Sequence, residues 1–249
     1  MGVIRGLVTE WAVRSYEGRT PERGIPLPPR RLRQGGEHFS DNTDFVNRSL
    51  EDVARLRRHG AVIEGGHLVD LGAGPGRLAI ALMESRGRVR YTGIEVQKRH
   101  VRWCQRHLTA LDGEFRFIYV DSANGRYNPD GKDRPRWPLG DGCADSVYAY
   151  SVFSHLHAGD AEFQLCEMGR VLRPGGRAAV TGFLEPGGGE VALGTVKEWR
   201  SEGSRLSRVW YRYGFFEALA NRAGLVIEEV EWGMDTDGQS FVLLRRVDT

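Results

Sequence analysis

The chain has 249 residues, enough for one α/β domain with additions, and its 40% hydrophobic and 27% charged content excludes a disordered polymer and a membrane-embedded protein alike. A net charge of +2 gives the surface as a whole no bias toward nucleic acid. Cys104, Cys143 and Cys166 form no C-x-x-C pair, so neither a disulfide framework nor a structural zinc site is expected, and a reducing cytoplasm is the expected setting.

No apolar stretch reaches the roughly 20 residues that span a bilayer. Met1 to Leu7 is broken by Arg5, with Gly6 where myristoylation wants Ser or Thr, so no signal peptide or lipid anchor is expected there. Residues 1–36 read as an irregular arm, with four prolines between Thr20 and Arg31 that favour an extended path. A helix is predicted around Phe45, Val46, Leu50, Val53 and Leu56, with Ser40 or Asp41 as its N-cap. Strands and helices then alternate. Strands are predicted at 67–71, 89–94, 115–120, 145–150 and 176–183, and helices at 78–84, 97–111, 162–172 and 215–223. Strands at 225–231 and 240–245 follow in direct succession, which predicts a closing antiparallel hairpin. The fold class is therefore α/β, a doubly wound, mostly parallel seven-stranded sheet with helices on both faces.

In such a sheet ligands bind off the carboxyl ends of the strands, where the strand order reverses. The first strand runs into Asp70-Leu-Gly72-Ala-Gly74-Pro-Gly76-Arg77. Glycines there let the backbone turn sharply and approach a ligand. The dinucleotide fingerprint would need glycine where Arg77 stands, and a loop built for pyrophosphate gains nothing from Asp70. A cationic ligand without phosphate fits better. Glu95 ends the second strand, placed to take both hydroxyls of a ribose, and Asp121 ends the third, placed to accept from an adenine amine. Each acid alone also reads as a helix cap; the three together with the loop point to a ligand with a cationic end, a ribose and an adenine.

These pieces give the chain a resemblance to the class I S-adenosylmethionine-dependent methyltransferases. The likeness runs from about Leu27 to Phe183, through the segments 69–77, 91–95, 117–121, 141–148 and 170–177. It implies a Rossmann-like methyltransferase fold with S-adenosylmethionine as cofactor and S-adenosylhomocysteine as product. By the resemblance Asp70 with Gly72, Gly74 and Gly76 would hold the methionine portion, Glu95 the ribose, and Asp121 with Ser122 the adenine edge, and Ala73 and Val96 would also contact the cofactor. Tyr150 and Ser151 would pass under the sulfonium. A narrower likeness, to bacterial methyltransferases encoded with sugar or natural-product genes, rests on the segments 27–33, 127–131 and 151–156. Residues 1–36 would then form a lid whose Arg33 pairs the methionine carboxylate, 37–249 the methyltransferase domain, and 185–212 an acceptor-side insertion.

Methyl transfer is an in-line displacement that gains mostly from positioning and the exclusion of water. A hydroxyl acceptor also profits from a base, so His155, which matches the group's Ser-x-x-x-His pattern, and His157 are the catalytic candidates. His38, Phe39, Tyr127, Trp210, Tyr211 and Tyr213 are candidates for the acceptor region, and no metal is expected. The favoured expectation is O-methylation of a sugar, glycoside or natural product. The alternative is an RNA or other macromolecular methyltransferase using Arg86, Arg88, Arg90, Lys98, Arg99, Arg102 and Arg106 as a binding surface. Lys98, Lys132 and Lys197 are the only lysines among 35 basic residues, an arginine bias that codon usage alone can produce. A nicotinamide-dependent oxidoreductase and an interaction protein built around the proline-rich arm are the remaining readings.

Overall fold

Alternation of side chains along the strands sets the layers. In the first strand Leu68 faces one core and its neighbour Val69 the other; in the fifth, Ala179 faces the first core and Ala178 and Val180 the second. The structure, a computed structural model, describes residues 18–33, 39–125, 127–187, 196–200, 207–233 and 238–247. In chain order the elements are α1 (Asn42–Arg58), β1 (His67–Leu71), α2 (Arg77–Glu84), β2 (Arg90–Glu95), α3 (Lys98–Cys104), β3 (Phe115–Tyr119) and β4 (Ala144–Ala149). They continue as α4 (Ala158–Val171), β5 (Leu172–Glu185), β6 (Val196–Arg200), β7 (Ser207–Arg212), α5 (Tyr213–Arg222), β8 (Leu225–Glu231) and β9 (Ser240–Arg246). Helices α1, α2 and α3 cover one face, α4 and α5 the other.

The parallel strands run β3-β2-β1-β4-β5, and β9 then pairs antiparallel with β5 and with β8, the closing hairpin. Order reverses between β1 and β4, which pair in parallel through Asp70 and Tyr148, so this is the switch point of the sheet. The described residues hold nine strands rather than the seven expected. The seven form the doubly wound sheet, and the extra pair is the β6–β7 hairpin inside the expected acceptor-side insertion. It attaches because β5 outruns its other partner: Arg177 to Gly182 pair with β9, leaving Phe183 to Glu185 to pair in parallel with β7.

Local chemistry explains the elements nearest the site. Asp41 caps α1 by accepting from the Thr43 and Asp44 N–H groups at 2.7 and 3.0 Å. The helix expected over 97–111 is α3 continued by a wider π turn, Gln105–Thr109, which brings Leu108 against Gly76. The described part of the arm lies packed, with Ile25 and Leu27 in the core. Buried Glu84, at the end of α2, takes the Thr20 hydroxyl and the Glu22 and Arg23 N–H groups, the latter two at 2.7 and 3.2 Å. Residues 1–17 and 34–36 of the expected lid, and His38 just past it, lie outside the described residues.

Candidate active site

The glycine loop between β1 and α2 is built from left-handed backbone: Gly72, Gly74 and Gly76 have φ of 74°, 54° and 82°. Space demands glycine as well as φ. A β-carbon on Gly72 would lie 2.6 Å from Val152 Cγ2, and one on Gly76 would lie 2.5 Å from Leu108 Cδ1. The Gly72 and Ala73 N–H groups both donate to the Ile94 carbonyl, at 2.8 and 3.1 Å, which ties the loop to β2.

Three acids surround this loop, each with spare acceptor capacity. Glu95 is buried; one oxygen accepts from the Gly74 N–H at 2.7 Å and the other from the Gln97 N–H at 2.8 Å. A carboxylate offers about four lone-pair sites, so a diol still finds acceptors there. Asp121 accepts the Tyr119 hydroxyl at 2.6 Å and the Asn128 amide at 3.1 Å, both on Oδ1, which leaves Oδ2 for a donor; these bonds hold its pKa below the usual carboxylate value. Asp70 is buried and its Oδ2 accepts the Tyr91 hydroxyl at 2.5 Å. Burial pushes its pKa up to about 7, against the opposing pull of Tyr91 and Arg77. The three acceptors, one at the carboxyl end of each of three adjacent strands, could take the donors of a cofactor with an ammonium, a ribose diol and an exocyclic amine. Val96 and Ser122 follow Glu95 and Asp121 directly, Ser122 donating its N–H to the Val120 carbonyl at 2.8 Å.

Two neighbours of these acids carry no obvious signal in the sequence. His100, within α3, is fully buried with its Nδ1 3.9 Å from Glu95 Oε1, and neither ring nitrogen has a hydrogen-bond partner. Arg77 opens α2 and pairs with Asp52 of α1 at 2.6 Å, with both side chains nearly buried. Its guanidinium lies 4.2 Å from the Tyr150 ring centre and 5.2 Å from that of Phe39. Burial works against its charge, yet Asp52 together with Tyr148 and Tyr150 outweighs this and raises its pKa. A residue that in the sequence merely interrupts a fingerprint is therefore what joins α1, Phe39 just before it and the strand end at Tyr150.

Arg33 is engaged elsewhere than the expected methionine carboxylate. It stacks 4.6 Å over Phe45 and donates to the Pro28 carbonyl and Asn42 Oδ1 at 2.9 and 2.6 Å, with longer bonds to the Phe39, Ser40 and Asp41 carbonyls. Its donors close the turn that leads into α1. Phe39, expected at the acceptor, is buried edge-on between Phe45 and Tyr150.

Past β4 the chain reverses at Tyr150 and Ser151 and forms a 3₁₀ turn, Phe153–His155. The His155 ring meets Tyr127 edge to face at 6.3 Å, so these two candidates share one wall. His157 is exposed just before α4. Tyr211 corrects an expectation: it is fully buried against Phe216 and its hydroxyl donates to the Leu156 carbonyl, so it supports the His155–His157 segment from inside instead of lining a pocket. Tyr213 bonds Glu217 at 2.9 Å beside Trp232, and Trp210 stacks on Phe183 at 4.8 Å.

The basic run 86–106 does not form one patch. Arg86, Arg88 and Arg90 line a groove of about 570 Å³ with Arg23, Asp112 and Glu114 at the amino ends of the strands. Lys98, Arg99 and Arg102 belong to α3, which starts beyond the other end of β2, roughly 17 Å along the strand at about 3.3 Å per residue. Among the described residues, His59, Glu229 and Glu231 offer ligand atoms within 4.8 Å of one another. Arg55 and Arg58 lie 3.6 and 3.9 Å from Glu231, so the group is built as an ion-pair network joining α1 to β8. No helix among the described residues is long and apolar enough to cross a membrane.

Residues 68–176 match the family described as methyltransferase domain. An O-methyltransferase of Pyrenophora dematioidea is 28% identical over 138 residues, 55% of this chain and 45% of that protein. The chain spans about half the length of the curated relatives it matches. Among solved structures, the 1,6-didemethyltoxoflavin-N1-methyltransferase of Burkholderia thailandensis, with 1,6-didemethyltoxoflavin and S-adenosylhomocysteine bound, has a TM-score of 0.56 at 15% identity, covering 82% of this chain and 79% of that one. A SAM-dependent methyltransferase of Methanosarcina mazei also has a TM-score of 0.56 at 15% identity, covering 78% and 98%. Residues 68–176 are thus similar to the methyltransferase domain family, and the glycine loop at the switch point and the acid-ended strands sit on a fold shared with these solved methyltransferase structures.

Proposed function

We propose that this protein transfers a methyl group from S-adenosylmethionine to an oxygen of a small-molecule acceptor. The observation that carries the cofactor assignment is the convergence of Asp70, Glu95 and Asp121 on the glycine loop, each with lone pairs to spare. When bound, the cofactor supplies an electrophilic methyl group on a sulfonium, which an acceptor oxygen takes in line as the carbon–sulfur bond breaks. Ionised Asp70 would face the ammonium end, Glu95 would hold the ribose, and Asp121 with Ser122 the adenine edge. Tyr150 and Ser151 would help to hold the sulfonium end. His155, braced by Tyr127, takes the acceptor's proton as the new bond forms. Arg77 and Phe39, packed against Tyr150, would cover the methionine side and exclude water.

The choice of oxygen is supported by the O-methyltransferase relatives. The choice of a small acceptor over RNA is supported by the split of the basic run, which leaves a macromolecular polyanion no continuous surface beside the site. The test is transfer of labelled methyl from S-adenosylmethionine into a size-fractionated extract of the source organism, with and without ribonuclease. Label in a small, ribonuclease-resistant fraction is the expected result. Label in a large, ribonuclease-sensitive fraction would overturn the small-acceptor reading while leaving the methyltransferase assignment intact.

A further inference from the structure

Immediately after β4 the chain adopts a conformation that L-residues avoid. Ser151 has φ of 54°, in the left-handed region where a β-carbon is crowded. Such strain persists only where the surroundings over-determine it. Here they do. The Ser151 N–H donates to Thr181 Oγ1 at 2.7 Å, and the Thr181 hydroxyl donates to Gln239 Oε1 at 3.1 Å. Gln239 Nε2 donates to Ser151 Oγ at 3.0 Å. The Ser154 hydroxyl donates to the Ser151 carbonyl at 3.0 Å, so Ser151 Oγ donates to Ser154 Oγ, also at 3.0 Å. Each proton in this ring has one acceptor. Ser154 and Thr181 are fully buried and Gln239 is 1% exposed, so water cannot replace a missing member.

The ring joins three distant parts of the chain: the turn after β4, the middle of β5, and the residue just before β9. The turn in turn abuts the cofactor loop, since Val152 Cγ2 fills the space that a β-carbon on Gly72 would need. We propose that Gln239 is a positioning residue for methyl transfer, closing a hydrogen-bonded ring that holds Ser151 left-handed and thereby sets both the Tyr150–Ser151 segment and the glycine loop for the cofactor. This rests on the reading of that segment as cofactor-facing. The C-terminal hairpin, remote from every motif, thus acts on the transfer site through one side chain.

The experiment exploits the one residue that needs no ring. Glycine adopts φ of 54° without support, so Ser151→Gly should rescue loss of Gln239. S-adenosylhomocysteine affinity by calorimetry and methyl-transfer rates are measured for wild type, Gln239→Leu and the Gln239→Leu/Ser151→Gly pair. Gln239→Leu is expected to weaken affinity about tenfold, the order set by one unsupported left-handed residue. The double variant is expected to recover most of it. A side chain that merely packs would show added damage from the second substitution. Wild-type affinity in Gln239→Leu, or no recovery in the double variant, overturns the proposal. If Gln239→Leu does not fold, Thr181→Val removes the acceptor of the Ser151 N–H and replaces it, with the same rescue expected. Glu95→Ala runs in parallel: if it keeps affinity, the cofactor-site reading itself fails, whereas its loss beside an unaffected Gln239→Leu sinks only the ring.

Discussion

At the carboxyl ends of β1, β2 and β3 the functional side chains are held by neighbours at most 21 residues away, in the same or the next βα unit; past β4 they are held by groups 30 and 88 residues away. Glu95 takes N–H groups from Gly74 and Gln97, and Asp121 takes donors from Tyr119 and Asn128. Ser151, by contrast, depends on Thr181 and Gln239, and the backbone before His157 depends on Tyr211. The first half is set within single βα units and between consecutive ones. The second forms only after β5, β7 and β9 have docked. Cofactor recognition should therefore be affected mainly by substitutions within the motifs, and acceptor chemistry by changes far from them.

Four measurements would break or sharpen this contrast. Glu95→Ala should remove the charge-assisted bonds to a ribose and weaken S-adenosylhomocysteine binding at least about 100-fold by calorimetry. Binding within tenfold of wild type would dismantle the local half of the comparison. Asp52→Ala leaves Arg77 nearly buried without its carboxylate, and should cost about 3 kcal/mol of stability in denaturant unfolding. A loss under about 1 kcal/mol would show that the guanidinium escapes to water. His155→Ala should keep cofactor affinity while kcat falls about 100-fold, as expected for loss of a general base. Unchanged turnover removes His155 from the mechanism.

The smallest effect is a pH trend from Asp70. Its folded pKa, about 7, lies above the ordinary 3.8, so the folded protein holds the proton more tightly than the unfolded chain does. The stability this group contributes is full at low pH and is lost as pH climbs from about 4 to 7. Binding of a cationic cofactor needs the ionised form and runs the other way. Affinity should fall by up to about tenfold for each pH unit below 7, and Asp70→Asn should flatten the trend. Melting curves with and without S-adenosylhomocysteine across that range measure both slopes. Parallel slopes in the two series would show that Asp70 does not meet the ligand's charge.

The cofactor half was legible because its chemistry is written in short segments. Hydrophobic periodicity marked the strands, glycines marked the turn, and an acid ended each of three strands; parallel register then brought these ends together with no further information. Arg77 was read only as a departure from another fingerprint, since nothing in the sequence pairs it with Asp52 in a helix that precedes β1. Arg33 and Phe39 were placed near the ligand by proximity to a motif, while the structure uses them to close the entry into α1. Tyr211 shows the limit most sharply. An aromatic in an insertion reads equally as pocket or core, and only the docking of β7 on β5 buried it.

What the sequence determined by itself, then, is the fold class, the glycine loop and the three acids, because each depends on interactions within one βα unit or between consecutive ones and on a period that strands and helices enforce locally. What only the tertiary structure decided is which side chains hold the turn after β4, that Gln239 is one of them, and that the basic run divides between two ends of a strand. Those outcomes depend on contacts between segments far apart in the chain, and hydrogen bonds of that range leave no spacing in the sequence to read.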